Sequence, residues 1–548
     1  MSSLSYIGYL VLFNLPYLIF FILCSYFFGA FFPIMEIDAM QYASMSRELL
    51  RGENILYFFD NGEEYLDKPP LIFWMTALFF KIFGVSDFIY RMPSILFSLL
   101  SIYFTFRFSL LHYSKDTAMM AALILASCEA FFIMNADVRT DIYMIAPMMA
   151  GVWSLTAYFK YNYLSNLIIA AISFSFAMMG KGPIGLVIPI TIIGIDLFLK
   201  KNIHLIFDKK LFLGVAVILL FLLPMSYGLF SQFGTYGLEF YYWTQSFGRI
   251  TGGSSWSNET GTFYLLGVFL YAFLPWTFLF FRAFIERSKN IFNGNGFHNW
   301  SETISYFGFI VPLIMLSLSN YKLPHYIYCV VPFASILTAA SIENWSKKYK
   351  IIFNIQIGIS IIMLTIVYGI TLYAFPVGFK FFIIPIVIII GFIRYYLSYS
   401  KEKLDRLFIL TTAVTILFNY GLNLGILQPL LNYQGPSQAA QYILEKELIF
   451  DDIYLFNENK KAKSRSFNYY LNMNTNYIDR EYFSNHKKPK SMLIYTGEKG
   501  YKELLNLSDN VNIIKTFLHA RVSKISMRFL DPSTRPKILK KKYLLECS

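Results

Sequence analysis

The chain has 548 residues, of which 56% are hydrophobic, 19% aromatic and only 15% charged, with a net charge of +13 at pH 7. Soluble chains carry about 25% charged residues. That deficit, a mean hydropathy of +0.49 and repeated apolar runs exclude an ordinary soluble domain and indicate a polytopic helical membrane protein. The positive balance does not indicate nucleic acid, because most Lys and Arg fall in short loops between apolar runs, where membrane topology places them.

In chain order, residues 1–35 carry no charged side chain and contain an apolar run at 8–33. The run is too long for a signal-peptide core and lacks a basic leader or a small-residue cleavage site, so a retained first span is expected. A polar, mostly acidic loop, Glu36 to Pro70, follows. Within it Met40, Ala43, Met45, Leu49 and Leu50 recur near helical spacing, which predicts an amphipathic helix lying along the membrane. Leu71 to Phe83 is apolar but short and follows Pro69-Pro70, which predicts a helix at the outer interface. Further runs at 88–110, 117–135, 142–159, 163–180, 183–199, 211–231, 261–281, 302–319, 324–341, 351–373, 378–397 and 407–428 bring the expected spans to thirteen.

The basic loops His112–Asp116, Lys160, Lys200–Lys210, Arg282–Lys289, Lys347–Lys350 and Arg394–Arg406 share one side, expected to be cytoplasmic. The opposite side then receives the 36–70 loop, the Asp137–Asp141 turn, Lys181, the 233–260 loop and the Tyr321-Lys322 turn. With an odd span count, residues 429–548 lie there too. Short β-rich runs (Ile453–Phe456, Met492–Tyr495, Val511–Phe517) alternate there with helical patterns at Pro436–Leu448 and Lys502–Leu507. The reading is a transmembrane domain, 1–428, whose first outer loop with amphipathic helices is 36–84, followed by an extracytoplasmic α/β domain, 429–548. The basic stretch Arg535 to Lys542 reads as a solvated tail, with contact to anionic headgroups as the alternative. The four cysteines have no metal-ligand or disulfide spacing and read as small buried hydrophobes.

Within the predicted spans Glu129 and Asp196 are the exceptional charges, whereas a transporter keeps ionisable groups near the midplane. The unusual charges gather at the outer rim: Asp38, Asp67, Asp137 and Asp141 against Lys68, Arg139, Lys181, Arg249 and Lys322. Cations in a partly dry crevice suit a phosphate-bearing substrate. A carboxylate beside them can accept a proton or steady a cationic sugar-like transition state. Taken singly, each has an ordinary alternative: a solvated loop acid, a snorkelling lysine, a helix-terminal charge or an Asp137–Arg139 pair. Their co-location is what favours chemistry at one face.

Several stretches carry a family resemblance. They are I-D-A-M-Q-Y-A-S-M-S-R-E-L-L from Ile37, E-Y-L-D-K-P-P-L-I-F-W from Glu64 and F-G-V-S-D-F-I-Y-R-M-P-S from Phe83. R-T-D-I-Y-M around Asp141, K-G-P-I-G-L from Lys181, F-G-R ending at Arg249 and Y-K-L-P-H-Y-I around Lys322 follow in order. As an ordered set they resemble the GT-C glycosyltransferases that use polyprenyl-phosphate sugars, particularly lipid A aminoarabinose transferases and their protein mannosyltransferase relatives. The resemblance implies a multi-pass protein of the bacterial inner membrane with a GT-C fold and a cavity facing the periplasm. It implies an undecaprenyl-phosphate-linked sugar donor, an acceptor that is lipid A or another envelope glycolipid, and membrane lipids as the surroundings.

By that resemblance Asp38 and Asp141 are the catalytic acidic pair. Lys68, Arg249 and Lys322, with Lys181 and Arg139 beside them, are phosphate ligands, and Tyr42 and Tyr65 line the site. The chain departs from the family pattern at Ala39, where a second acid is expected, at Gln41, where an Arg is expected, and at Ser246, in place of a His. No cofactor or metal is required by this scheme, which leaves room for a divalent cation. A protein O-mannosyltransferase-like enzyme and a lipid-linked sugar flippase or transporter are the rival readings.

Overall fold

The computed structural model describes residues 4–547 except 246–247, 249–257, 259, 293–296, 298–299, 343–348, 400–402, 449, 451, 459, 482–491 and 509. Each of the apolar runs is helical, but the helices are of unequal length. Among the described residues eight are long and apolar enough to cross a membrane, rather than the thirteen expected. A ninth is added if Lys115–Ala126 and Glu129–Ala136, bent by 47° at their break, make one span. Ile184–Leu199 and Ile304–Ser317 are shorter, and the 261–281 run divides around Pro275 into Tyr264–Ala272 and Thr277–Phe292. Pro275 lacks the N–H that a continuous helix would use there.

Thr140–Tyr161 is the central helix, buried along almost its whole length against Asp87–His112 and Leu164–Lys181. The backbones come close at Gly180, where a Cβ would stand 2.5 Å from the Tyr143 carbonyl oxygen. Lys380–Tyr399 is peripheral, with Ile386, Val387 and Ile390 exposed, as befits a face turned to lipid. The first three basic loops meet at one end of the bundle: Lys160 donates to the Leu111 carbonyl, and His112 and Lys200 both reach the Ser301 carbonyl, at 3.1 and 2.7 Å. Asp196, one of the two in-span acids, accepts there from the Thr303 amide and hydroxyl at 2.7 and 2.9 Å, capping Ile304–Ser317.

At the opposite end the first loop folds into three pieces. Asp38–Leu49 is helical, as the spacing predicts, but it does not lie along the membrane with a wet face. Nine of its twelve residues are buried, because it is sandwiched between Leu71–Phe83 and Lys460–Leu471. The strands β1 (Phe59–Asp60) and β2 (Glu63–Glu64) form a hairpin whose turn, Asn61-Gly62, has φ of 61° and 79°, the left-handed pair such a turn needs. Leu71–Phe83, at 13 residues too short to span, exposes Leu78, Ile82 and Phe83.

The chain beyond Pro429 builds a five-stranded sheet from β3 (Ile453–Phe456), β4 (Asn476–Ile478), β5 (Met492–Gly497), β6 (Val511–His519) and β7 (Lys540–Cys547). Its order is β4-β3-β5-β7-β6; β4, β3 and β5 are parallel, whereas β7 pairs antiparallel with β5 and β6. The basic stretch at 535–542 is therefore not a solvated tail. Lys540 opens β7 in the interior of the sheet, and Lys542 is buried in an ion pair with Glu458. Arg535 is buried among the rings of Phe375, Tyr433 and Phe529 and donates to the Ala374 carbonyl at 2.6 Å, pinning this region to the end of Tyr349–Ala374. Gln434 completes the attachment: its amide donates to the Ile34 carbonyl at 3.0 Å and accepts from the Glu36 N–H at 2.5 Å.

Candidate functional site

Asp38 opens its helix immediately after Ile37, whose φ of 91° is costly for a β-branched residue. The conformation is held from both sides. The Gln41 N–H donates to the Ile37 carbonyl at 3.0 Å, and the Glu36 N–H is tied to Gln434. The Asp38 carboxylate accepts from the Arg139 guanidinium, which also binds Asp137 through Nε at 3.0 Å. Burial opposes the charge on Arg139, but the carboxylates of Asp137 and Asp38 outweigh it and push the guanidinium above its ordinary range. Arg139 is thus a fixed cation whose two acids come from separate elements.

Lys68 pairs with Asp67 at 2.8 Å. Asp67 also accepts from the Gln245 amide at 3.2 Å and the Tyr65 hydroxyl at 3.5 Å. Burial, with the charge of Asp38, raises the Tyr42 phenol well above its ordinary range, and burial with Asp67 does the same to Tyr65. Both phenols therefore remain neutral donors. Asp141, fully buried near the start of Thr140–Tyr161, is paired with Lys181, which ends Leu164–Lys181. The Lys181 ammonium lies 4.4 Å from the centre of the Tyr326 ring, and Nε2 of His325 lies 3.7 Å from Asp141 Oδ2.

Two adjoining cavities share Asp38, Lys68, Leu323 and His325. The outer one, about 950 Å³, carries the charged groups, with Tyr65, Asp67, Asp137 and Arg139 beside Phe233 and Phe240 in its wall, and it reaches Arg465 and Arg521 of the C-terminal region. The inner one, about 100 Å³, has Tyr42 and Lys181 at its polar end. Ile184, Val187, Met315 and Leu316 give it an apolar wall between Ile184–Leu199 and Ile304–Ser317. A charge-lined chamber joined to an apolar slot through cations suits an amphiphile with a phosphate at the junction. Among the described residues no three His, Cys, Asp or Glu side chains are placed together to hold a metal ion.

The structure thus gathers Asp38, Lys68, Arg139, Lys181, Tyr42 and Tyr65 at one site. Asp141 adjoins it through Lys181 and His325, and its carboxylate lines neither cavity. Lys322 is buried and lines neither cavity; its ammonium donates to the Thr260 carbonyl at 3.2 Å, while its backbone is bracketed by Asn258. Arg249 and Ser246 lie outside the described residues.

Sequence reasoning did not single out His325, Gln245 or Arg465. His325 stands in the Y-K-L-P-H-Y-I motif, so its signal was present. Arg465 sits in a basic run with nothing to mark it, yet it pairs with Asp60 at 2.7 Å, and Gln41 donates to the same carboxylate at 2.8 Å. A cation from the distant C-terminal region therefore stands close to where the family pattern has an Arg and this chain has Gln41.

Residues 67–227 match the family model described as dolichyl-phosphate-mannose-protein mannosyltransferase. An uncharacterized protein of Aquifex aeolicus is 28% identical over 369 residues, which are 65% of this chain and 68% of that protein. The undecaprenyl phosphate-alpha-4-amino-4-deoxy-L-arabinose arabinosyl transferase of Yersinia pestis is 24% identical over 355 residues, 61% of each chain. The match to that transferase thus spans less than two thirds of its length. The crystal structure of ArnT from Cupriavidus metallidurans bound to undecaprenyl phosphate superposes with a TM-score of 0.73 at 16% identity, covering 99% of this chain and 98% of the other. The apo form gives 0.71 at 15% identity, covering 94% and 97%. The resemblance to GT-C glycosyltransferases of the aminoarabinose transferase kind is thereby shown, and with it the fold and the enzyme class: a membrane glycosyltransferase.

Proposed function

We propose that this glycosyltransferase moves a sugar, by kinship an amino sugar, from undecaprenyl phosphate to lipid A or another envelope acceptor at the periplasmic face of the bacterial inner membrane. The observation that carries the reading is the junction of the two cavities, where Lys68 and Lys181 stand between an apolar slot and a charge-lined chamber that holds Asp38. The charged rim and the first three basic loops lie at opposite ends of the bundle, which supports the periplasmic assignment of the rim.

In this reading the prenyl chain follows the apolar wall and the donor phosphate meets Lys68 and Lys181. The acceptor oxygen attacks the anomeric carbon from the outer chamber, the bond to the donor phosphate oxygen breaks, and undecaprenyl phosphate leaves with the electron pair. Its charge is held by the two ammonium groups and by the neutral Tyr42 phenol. A phosphate acceptor is already anionic near neutral pH, so no base is needed; with a hydroxyl acceptor, Asp38 takes the proton. Direct displacement inverts the anomeric centre. Asp38, held by Arg139, also faces the positive charge that develops on the sugar ring.

Mass spectrometry of lipid A with and without the gene tests the reading: loss of one defined sugar is expected. Unchanged lipid A sinks the lipid A acceptor. Restoring the gene with Asp38→Asn should give normal protein levels without the modification, and normal modification by that variant refutes the role of Asp38. The matched family model also describes transferases to protein, so a missing sugar on an envelope protein, with lipid A intact, would favour the mannosyltransferase-like alternative.

A further inference from the structure

The segment 520–528 follows β6 and has two unlike faces. Val522 is buried in a cluster with Phe32, Phe375, Leu430 and Phe529, at the outer ends of the membrane helices. The Ala520 N–H donates to the Tyr433 carbonyl at 2.9 Å, which fixes the start of the segment. With Val522 turned inward, its neighbours Arg521 and Ser523 open into the wall of the outer cavity. Beyond them Lys524, Ile525, Met527 and Arg528 are exposed, Met527 at 82%. The exposed apolar pair lies on a segment packed against Tyr349–Ala374, whose terminal Tyr373 is itself exposed at 62%. Apolar tips flanked by cations beside the end of a spanning helix belong at the headgroup level of a bilayer.

The cavity wall gives this lip its chemistry. Four cations line the outer cavity among the described residues: Lys68, Arg139, Arg465 and Arg521. Lys68 is paired with Asp67, Arg139 with Asp38 and Asp137, and Arg465 with Asp60. Among the described residues Arg521 has no carboxylate within ion-pair distance, and its Nε meets only the Ser523 hydroxyl, at 3.4 Å. A guanidinium facing a cavity with its fork unclaimed is a site for an oxyanion, which two parallel N–H bonds can hold.

We infer that Arg521, with Ser523, is the anchor for a phosphate on a lipid acceptor, and that 520–528 is the lip over which this anionic amphiphile passes from the leaflet into the cavity. The inference rests on the glycosyltransferase reading above and adds to it the residues that select the acceptor and its path of entry. Donor and acceptor phosphates are then held by different parts of the chain: the donor by Lys68 and Lys181 of the membrane region, the acceptor by a residue of the C-terminal region. Lys524 and Arg528, on the exposed face, draw anionic headgroups toward the lip.

The test uses the full-length protein in phosphatidylcholine nanodiscs, doped either with bisphosphorylated lipid A or with lipid A stripped of both phosphates. Retained lipid is counted by native mass spectrometry, and thermal stabilisation by added undecaprenyl phosphate is measured in parallel. The wild-type protein should retain the bisphosphorylated lipid preferentially. Arg521→Ala should lower that retention roughly tenfold, as expected for losing a charge-assisted bidentate contact, and Arg521→Lys should restore it in part. The stabilisation by undecaprenyl phosphate should be the same in all three proteins. Equal retention of the two lipids by the wild type, or unchanged retention by Arg521→Ala, overturns the inference. Loss of the undecaprenyl phosphate response in Arg521→Ala also overturns it, by assigning Arg521 to the donor. If undecaprenyl phosphate fails to stabilise even the wild type, the donor reading falls, while the lipid A comparison still decides the role of Arg521.

Discussion

Replacing Lys181 by Met would leave the Asp141 carboxylate sealed in the bundle without its cation. Asp141 has no exposed side-chain surface, and among the described residues its Oδ2 has no hydrogen-bond partner. His325, at 3.7 Å, is too distant to replace a direct ammonium contact. Breaking a buried pair from one side costs about 3–5 kcal/mol, because the remaining charge stays desolvated. The Lys181 side chain keeps 17% exposure, which allows some water at the site and puts the expected loss near the lower limit, about 3 kcal/mol. The double variant Lys181→Met, Asp141→Asn removes both charges and should regain more than half of that loss, while transfer stays abolished because the donor phosphate has lost its ammonium. Thermal unfolding in detergent, paired with a transfer assay on each variant, measures both. A single variant within about 0.5 kcal/mol of the wild type would refute the reasoning, since a surface substitution costs no more than that. A double variant that regained turnover would show that Lys181 serves Asp141 and not the substrate.

Arg91 is 1% exposed and gives bonds to five carbonyls, those of Ala30, Phe32, Pro33, Asp87 and Ala136, at 2.8–3.3 Å. Arg91→Lys can remake at most three of them, so it should cost about 2–4 kcal/mol and weaken donor binding by loosening the chain just before Asp38 and just before Asp137, read by thermal unfolding and donor titration. Gly180→Ala drives a methyl group against the Tyr143 carbonyl oxygen, with no side chain to yield, and should separate Lys181 from Asp141. The expected result is a destabilisation of about 1–3 kcal/mol with a larger fall in turnover than Gly185→Ala at the next helix gives, measured on the purified variants. Glu48 is held above its ordinary carboxyl range by burial, although the N–H groups of Asn61 and Gly62 bond to it and pull the other way. The folded chain therefore binds this proton more readily than the unfolded one. Its contribution to stability is present below the ordinary value of 4.5 and is lost as pH rises through the folded value. Glu48→Gln should flatten that part of the profile in unfolding scans between about pH 4 and pH 7; an unchanged slope would refute the assignment.

The membrane fold was legible because apolar runs of fixed length have few other solutions, and the rim was legible because its charges interrupt those runs. Where the sequence reading failed, the reason was tertiary. The spacing of Met40, Ala43, Met45 and Leu49 announces a helix, but it cannot say that Lys460–Leu471 will cover its second face. The run of basic residues from Arg535 to Lys542 has the composition of a tail, yet Arg535 finds three rings and Lys542 finds Glu458. Apart from Phe529, those partners come from elements about 80 to 160 residues earlier in the chain. Lys322, singled out among the rim charges and by its motif, gives its ammonium to Thr260, while the adjacent Leu323 and His325 line the cavities. Cys128, Cys329 and Cys547 are buried as composition suggested, whereas Cys24 is exposed on the first helix.

The ion pairs at the rim also divide the cations by what each acid would lose if its partner moved. Asp67 keeps the Gln245 amide and the Tyr65 hydroxyl when Lys68 swings toward a phosphate, so that movement leaves no carboxylate bare. Arg139 holds Asp137 through two nitrogens and Asp38 through a third, so Asp38 can turn to an acceptor without freeing the guanidinium from its place. Asp141 has no such reserve and keeps Lys181 fixed at the end of its helix. In the proposed reaction the donor phosphate would meet one anchored ammonium and one free to follow it, and Lys68 would meet the developing charge on the leaving group without unpairing any buried acid. On the proposed mechanism this asymmetry gives the two acids different parts: Asp141 would hold the cation that must not move, and Asp38 would be the acid that acts.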